Sequence, residues 1–108
     1  MEEGKMLENG IAVLDRYLMI KMPAELDHHT AAAIREKADR YFLEQQVDYI
    51  VFDFEDTVFM DSSGIGVILG RYKKVDYFGG KVYAIHTGER VRKVMELSGP
   101  HNILEILS

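Results

Sequence analysis

The chain reads as an α/β domain: a mostly parallel mixed β-sheet with an N-terminal antiparallel hairpin and helices packed on it. Two short apolar runs, residues 10–14 (GIAVL) and 17–22 (YLMIKM), are separated only by Asp15-Arg16 and predict two strands joined by a tight turn. Residues 49–54 (YIVFDF) are apolar at nearly every position, which suits a central strand covered on both faces. Between and beyond these runs the apolar period changes to that of helices, and a helix between successive strands favours parallel pairing.

Each element has a local reason. Pro23 lacks an amide donor and ends the second strand. Thr30 is the expected N-cap of a helix reaching about Gln45, with Ile34, Ala38, Tyr41 and Phe42 inward and Arg35, Glu36, Asp39 and Arg40 in water. Asp53, the one charge in the central run, belongs near its exposed end. A second helix is expected over residues 62–78, where Ile65, Ile68, Leu69, Tyr72 and Val75 form one stripe. Gly79-Gly80 supplies a left-handed stop. Residues 81–86 (KVYAIH) form the next strand, and Thr87 caps a third helix through Leu97, with Val91, Val94 and Met95 inward. Gly99-Pro100 ends that helix, and residues 103–107 are apolar enough for a last strand or a docked tail.

The 108 residues fit one domain spanning the whole chain, and an apolar share of 47% supplies its core. With no cysteine, disulfides and thiolate metal sites are excluded. The polar, acidic N-terminus is unlike a signal peptide, and no apolar run approaches the roughly 20 residues of a membrane span. A cytoplasmic protein without a membrane partner is expected. A net charge of −5 argues against nucleic acid, which demands a basic stripe.

The segment FMDSSGIGVILGRYKK, residues 59–74, places two serines where a strand hands over to a helix. A hydrolase nucleophile elbow needs glycine two residues either side of the serine, but Met60 and Asp61 precede Ser62 and Ser63 by two. Gly64, Gly66 and Gly70 resemble a phosphate cradle, yet no Gly-Lys-Ser/Thr triplet accompanies them. Such glycines equally let a helix lie close to a sheet, or leave its outer side flat. A serine at the helix start also suits a phosphate acceptor, because free amides and the helix dipole favour an anion there. The plainest reading is that Ser62 is an N-cap. His28-His29 invites a metal reading, but adjacent loop residues rarely converge on one ion and no third ligand stands at helical spacing.

The same segment resembles the phosphorylation-site region of bacterial anti-sigma factor antagonists, which are STAS-domain proteins, most nearly those acting on anti-sigma-F factors. AELDHHTA, residues 24–31, is similar to the loop and helix start that precede that region in the family. The resemblance implies that Ser62 accepts phosphate from a cognate anti-sigma factor, itself a serine kinase carrying its own nucleotide. This chain would then be no enzyme and need no cofactor or metal. Unphosphorylated, it would bind the kinase and free a sigma factor of a sporulation or stress programme; a protein phosphatase acting on phospho-Ser62 would restore it. Asp27 matches the partner-contacting loop, and Asp61, Ser63, Gly64, Ile65 and Arg71 match the docking surface. Pro23-Ala24 stand where close relatives have Thr-Gly, and many relatives continue into another helix. The alternative is a STAS domain that itself binds or slowly hydrolyses a nucleotide through residues 64–70.

Overall fold

The hairpin forms as β2 (Ile11–Leu14) and β3 (Tyr17–Lys21), with Asp15 in the left-handed region at φ 54 to make the turn. The computed structural model describes residues 4–98 and 105–107, without the side chains of Ile65, Ile68, Leu69, Tyr72, Leu97, Ser98 and the last strand. An unexpected strand, β1 (Lys5–Glu8), precedes the hairpin and pairs antiparallel with β2. Its polar composition hid it: Lys37 Nζ lies 2.7 Å from Glu8, and Tyr41 Oη donates to Glu8 at 2.6 Å, so an acidic residue anchors the edge.

After β3 come β4 (Glu25–Leu26), α1 (His28–Glu44), β5 (Tyr49–Asp53), β6 (Phe59–Met60), α2 (Ser62–Tyr77), β7 (Lys81–Ile85), α3 (Gly88–Ser98) and β8 (Glu105–Leu107). The main sheet runs β1-β2-β3-β5-β7-β8, and its last four strands are parallel. Of the C-terminal apolar run, Glu105–Leu107 form a strand, and residues 103–104 lie outside the described ones. Each parallel step moves the same way across the sheet, so right-handed crossovers put α1, α2 and α3 on one face.

That face is the core. Leu18, Ile20, Ile50, Phe52, Val82 and Ala84 project from the sheet against Ala38 and Phe42 of α1, Val67 and Val75 of α2, and Val91 and Met95 of α3, all buried. Helices thus cover β5 on one face, where cover on both was expected. Val51 on the other face is still buried, flanked in register by Met19 and Tyr83. The stripe Ile34, Ala38, Tyr41 and Phe42 packs inward as expected. Of the α2 stripe, Val75 is buried; its other members and Gly99-Pro100 lie outside the described residues and side chains.

α2 starts at Ser62 as expected, but the capping of α1 and α3 differs from expectation. The cap of α1 is Asp27, whose Oδ1 accepts from the amides of His29 at 3.0 Å and Thr30 at 3.1 Å. Thr30 is the third helical residue, and its Oγ1 accepts from the Asp27 amide at 2.9 Å, closing a reciprocal capping box. One carboxylate oxygen thus serves two first-turn amides while Thr30 closes the box from the third helical position. Bonding to the Thr30 amide is also the main cause that lowers the Asp27 pKa below the ordinary carboxylate value. Thr87 caps nothing: it is buried, its Oγ1 without a hydrogen bond among the described residues, while left-handed His86 (φ 52) and Gly88 (φ 61) make the turn. At the end of α2, Gly79 (φ 82) stops the helix as expected.

The three helical glycines of α2 separate into two kinds. A methyl on Gly64 would stand 2.6 Å from Met60 Cγ and 2.7 Å from Leu26 Cδ2, so this position must be bare for α2 to reach the short β4–β6 pair. A methyl on Gly66 or Gly70 would meet nothing within 4 Å. Among the described residues, nothing in the packing requires these two.

Gly64→Ala should therefore destabilise the fold by about 1–3 kcal/mol through overpacking. Gly66→Ala and Gly70→Ala should each stabilise it by about 0.5–1 kcal/mol through helix propensity. Urea unfolding of the three variants checks the opposite signs. The folded pKa of Asp27 lies below its unfolded value, so its ionised cap contributes stability above the ordinary carboxylate range. That contribution disappears as the pH falls through the depressed folded pKa. Replacement by asparagine, which also caps, should remove this share of the acid sensitivity. The difference in Tm between wild type and Asp27→Asn should shrink as the pH is lowered below about 4.

Candidate functional site

The site is assembled by the two-residue strands β4 and β6. Leu26 pairs with Met60 in parallel register, and the Asp61 amide donates to the Leu26 carbonyl at 3.2 Å. The next residue on each strand is a cap, Asp27 or Asp61, with nearly identical backbone (φ −106, ψ −170 and φ −104, ψ −171). Adjacent strands lie about 4.8 Å apart, so α1 and α2 begin side by side. Their first helical residues are His28 and Ser62.

Asp61 takes the capping task that the sequence allotted to Ser62. Its Oδ1 accepts from the Ser63 amide at 2.8 Å, and its carbonyl accepts from Gly64 at 3.1 Å. Ser62 is exposed, and its hydroxyl makes no hydrogen bond among the described residues. It stands over the positive end of the α2 dipole. Ser63 is half-buried and turns into a groove of about 240 Å³ between the two helices. His28, Ala32 and Arg35 line the α1 side, and Gly66 lies opposite on α2.

Further along the same helix contact, Arg71 Nε lies 2.9 Å from Asp39 Oδ1, with Lys74 Nζ at 3.4 Å from the same oxygen. Arg71 is 8% exposed, and neither its Nε nor its Nη1 is aligned for a hydrogen bond. Burial pushes its pKa below the usual guanidinium value, Asp39 opposes that shift, and the positive charge of Arg35 adds to it.

The expected site residues therefore divide. Asp27, Asp61, Ser62 and Ser63 come together at the paired helix starts. Gly64 and Arg71, expected on a docking surface, are buried: one fits α2 to Leu26 and Met60, the other ties α2 to Asp39. Ile65 is on α2, and its side chain lies outside the described ones. Sequence reasoning missed Val58 and Phe59, apolar yet 64% and 44% exposed beside the serines. Their amides donate to Ala24, which holds them on the rim. An apolar pair directly before Met-Asp-Ser-Ser was the available signal. It also missed Arg35, assigned only to the wet side of a helix.

The glycine segment is not a phosphate-cradling loop. The Gly64 amide is engaged by Asp61, and Gly66 and Gly70 lie inside α2, where amides bond to helix carbonyls. At the ends of β5 and β7, Asp53 Oδ1 and His86 Nδ1 are 2.9 Å apart, a pairing that suits a base. No hydrogen bond joins a histidine to Ser62 or Ser63 among the described residues.

The STAS domain family model matches residues 10–107. The anti-sigma F factor antagonist of Paenibacillus polymyxa is 37% identical over 89 residues, which are 82% of this chain and 76% of that one. The anti-sigma factor antagonist SpoIIAA in its unphosphorylated form has a similar structure, with a TM-score of 0.72 at 26% identity over 100% of this chain and 88% of that chain. The Bacillus cell fate determinant SpoIIAA in the phosphorylated form gives 0.70 at 28% identity, over 100% and 92%. Among the described residues, no helix is long and apolar enough to cross a membrane. The chain belongs to the STAS-domain family, among the anti-sigma factor antagonists.

Proposed function

We propose that this antagonist is switched by phosphorylation of Ser62. Unphosphorylated, it binds an anti-sigma factor that is a serine kinase, and the bound sigma factor is released. Phosphorylated at Ser62, it no longer binds, and a protein phosphatase returns it to the binding form. The observation that carries this reading is the free, exposed hydroxyl of Ser62 at the first position of α2, with the cap supplied by Asp61. Its likeness to a relative solved in both phosphorylation states supports it.

The chemistry fits a switch that leaves the fold alone. A phosphate on Ser62 adds about 1.5–2 negative charges. Near the amides and dipole of α2, that charge is favourable by about 0.3–2 kcal/mol, so the domain stays folded. Against a docked protein, the same charge loses its water without gaining a partner from that protein. Each 1.4 kcal/mol is about tenfold in affinity, so a penalty of about 3–4 kcal/mol reduces binding several-hundredfold. Val58, Phe59 and the capping loop at Asp27 border the serine and complete a contact surface that joins apolar and acidic groups.

Incubation with the cognate anti-sigma kinase and ATP, followed by mass spectrometry, is expected to add one phosphate to wild type and to Ser63→Ala, and none to Ser62→Ala. Modification that survives in Ser62→Ala contradicts the site. Ser62→Asp should weaken the kinase complex by about a hundredfold or more, near 2.7 kcal/mol, with Tm unchanged. Calorimetric titration of the isolated domain with ATP or GTP should show no binding; micromolar affinity there favours the nucleotide-binding alternative.

A further inference from the structure

We infer that the groove between the N-terminal halves of α1 and α2 receives an acidic side chain of the anti-sigma kinase. This rests on the docking reading above and goes beyond it by naming the chemistry of the bound group. The groove is on the outer side of the helix pair, and its opening follows from small residues: Ala32 is exposed on one wall, and Gly66 on the other has open space where a methyl would stand. At about 240 Å³ it lies below the roughly 300–1,000 Å³ of ligand and cofactor pockets. One side chain and its solvent suit that size; a nucleotide does not.

Charge selects the occupant. The chain carries −5 overall, yet this helix seam is cationic. Arg35 is exposed on the groove wall and has no ion pair among the described residues. Just beyond it, Arg71 and Lys74 share the single carboxylate of Asp39. Arg35 is close enough to Arg71 for their charges to oppose each other. His28 at the mouth and the Ser63 hydroxyl add hydrogen-bonding groups. Among the described residues, no carboxylate lines the groove. A carboxylate brought by the partner meets an unpaired guanidinium and relieves the repulsion between two arginines.

The same placement gives the phosphoryl switch a local cause. Ser62 and Gly66 stand four residues apart on α2, on one face of the helix. A phosphate on Ser62 offers Arg35 a negative charge from within the chain and repels the incoming carboxylate. Phosphorylation thus closes the groove electrostatically.

The test uses the full chain and the cognate kinase, with affinity read by calorimetry at low and moderate salt. Wild type is expected to bind with a clear salt dependence. Arg35→Glu is expected to lose about tenfold or more in affinity. Gly66→Leu, which fills the groove without a charge change, should lose a comparable factor. Both variants should keep the wild-type Tm or exceed it, because Arg35 has no ion pair to lose among the described residues and Gly66 has free space. Reversal of one acidic kinase residue to arginine is expected to restore binding to Arg35→Glu. Wild-type affinity in either chain variant overturns the inference and leaves the docking reading standing. A complete set of acidic reversals, none of which restores binding, also overturns the acidic occupant. Failure of wild type to bind the kinase overturns the docking reading itself, and this inference with it.

Discussion

Register over two residue pairs governs this molecule. Glu25 with Phe59 and Leu26 with Met60 make the whole of the β4–β6 sheet. That contact joins two connections which the main sheet would otherwise leave independent, one entering α1 and one entering α2. Because the strands are parallel and in step, both helices start at the same height. Two aspartates then perform the same capping task beside one another. So small a sheet is not stable alone. It is held by Leu26 and Met60, buried to 0% and 5% exposure, and by the bare surface of Gly64 over them. A slip of one residue would put Leu26 in solvent and misalign the serine with the neighbouring helix.

The glycines show how stability and function divide along one helix. Gly64 has an internal explanation, since a side chain there collides with the core. Gly66 and Gly70 have none, although each weakens the helix relative to alanine. Their bare surface begins where Ser62 is presented and continues along the outer side of α2. Arg71 makes the complementary point. Its buried charge is poorly aligned with Asp39, an arrangement in which the pairing offsets little of the cost of burial.

Much of the fold could be read from the sequence because its signals are local. The hairpin, β5, β7 and the three helices announced themselves through apolar period and through breakers such as Gly79. What escaped depends on contacts distant in sequence. β1 is a polar edge strand, pinned through Glu8 to Lys37 and Tyr41 far along the chain. β4 and β6 are too short for any period and exist only because each finds the other. The helix caps were misassigned by one to three positions for a related reason. Asp27 and Thr30 are both good caps in isolation, and only the geometry of the entering strand decides between them. At the site, the serines were visible in the motif. Arg35 was not, because an arginine on the wet side of a helix looks the same whether or not a second helix stands beside it.

One consequence concerns the sheet face without helices. Tyr17 stacks on Tyr49 with ring centroids 4.6 Å apart, and Tyr83 stands 6.3 Å from Tyr49. The chain has no tryptophan, so tyrosines alone supply its intrinsic fluorescence. This trio lies behind the sheet, across the core from the serine rim, whereas Tyr41 belongs to α1 and Tyr72 and Tyr77 belong to α2. Its intrinsic emission therefore mixes tyrosines of the sheet with those of both helices, and no single signal isolates the working end. An optical reporter of docking has to be introduced near Val58 or Phe59, where the dye would sit on the same shore as the event.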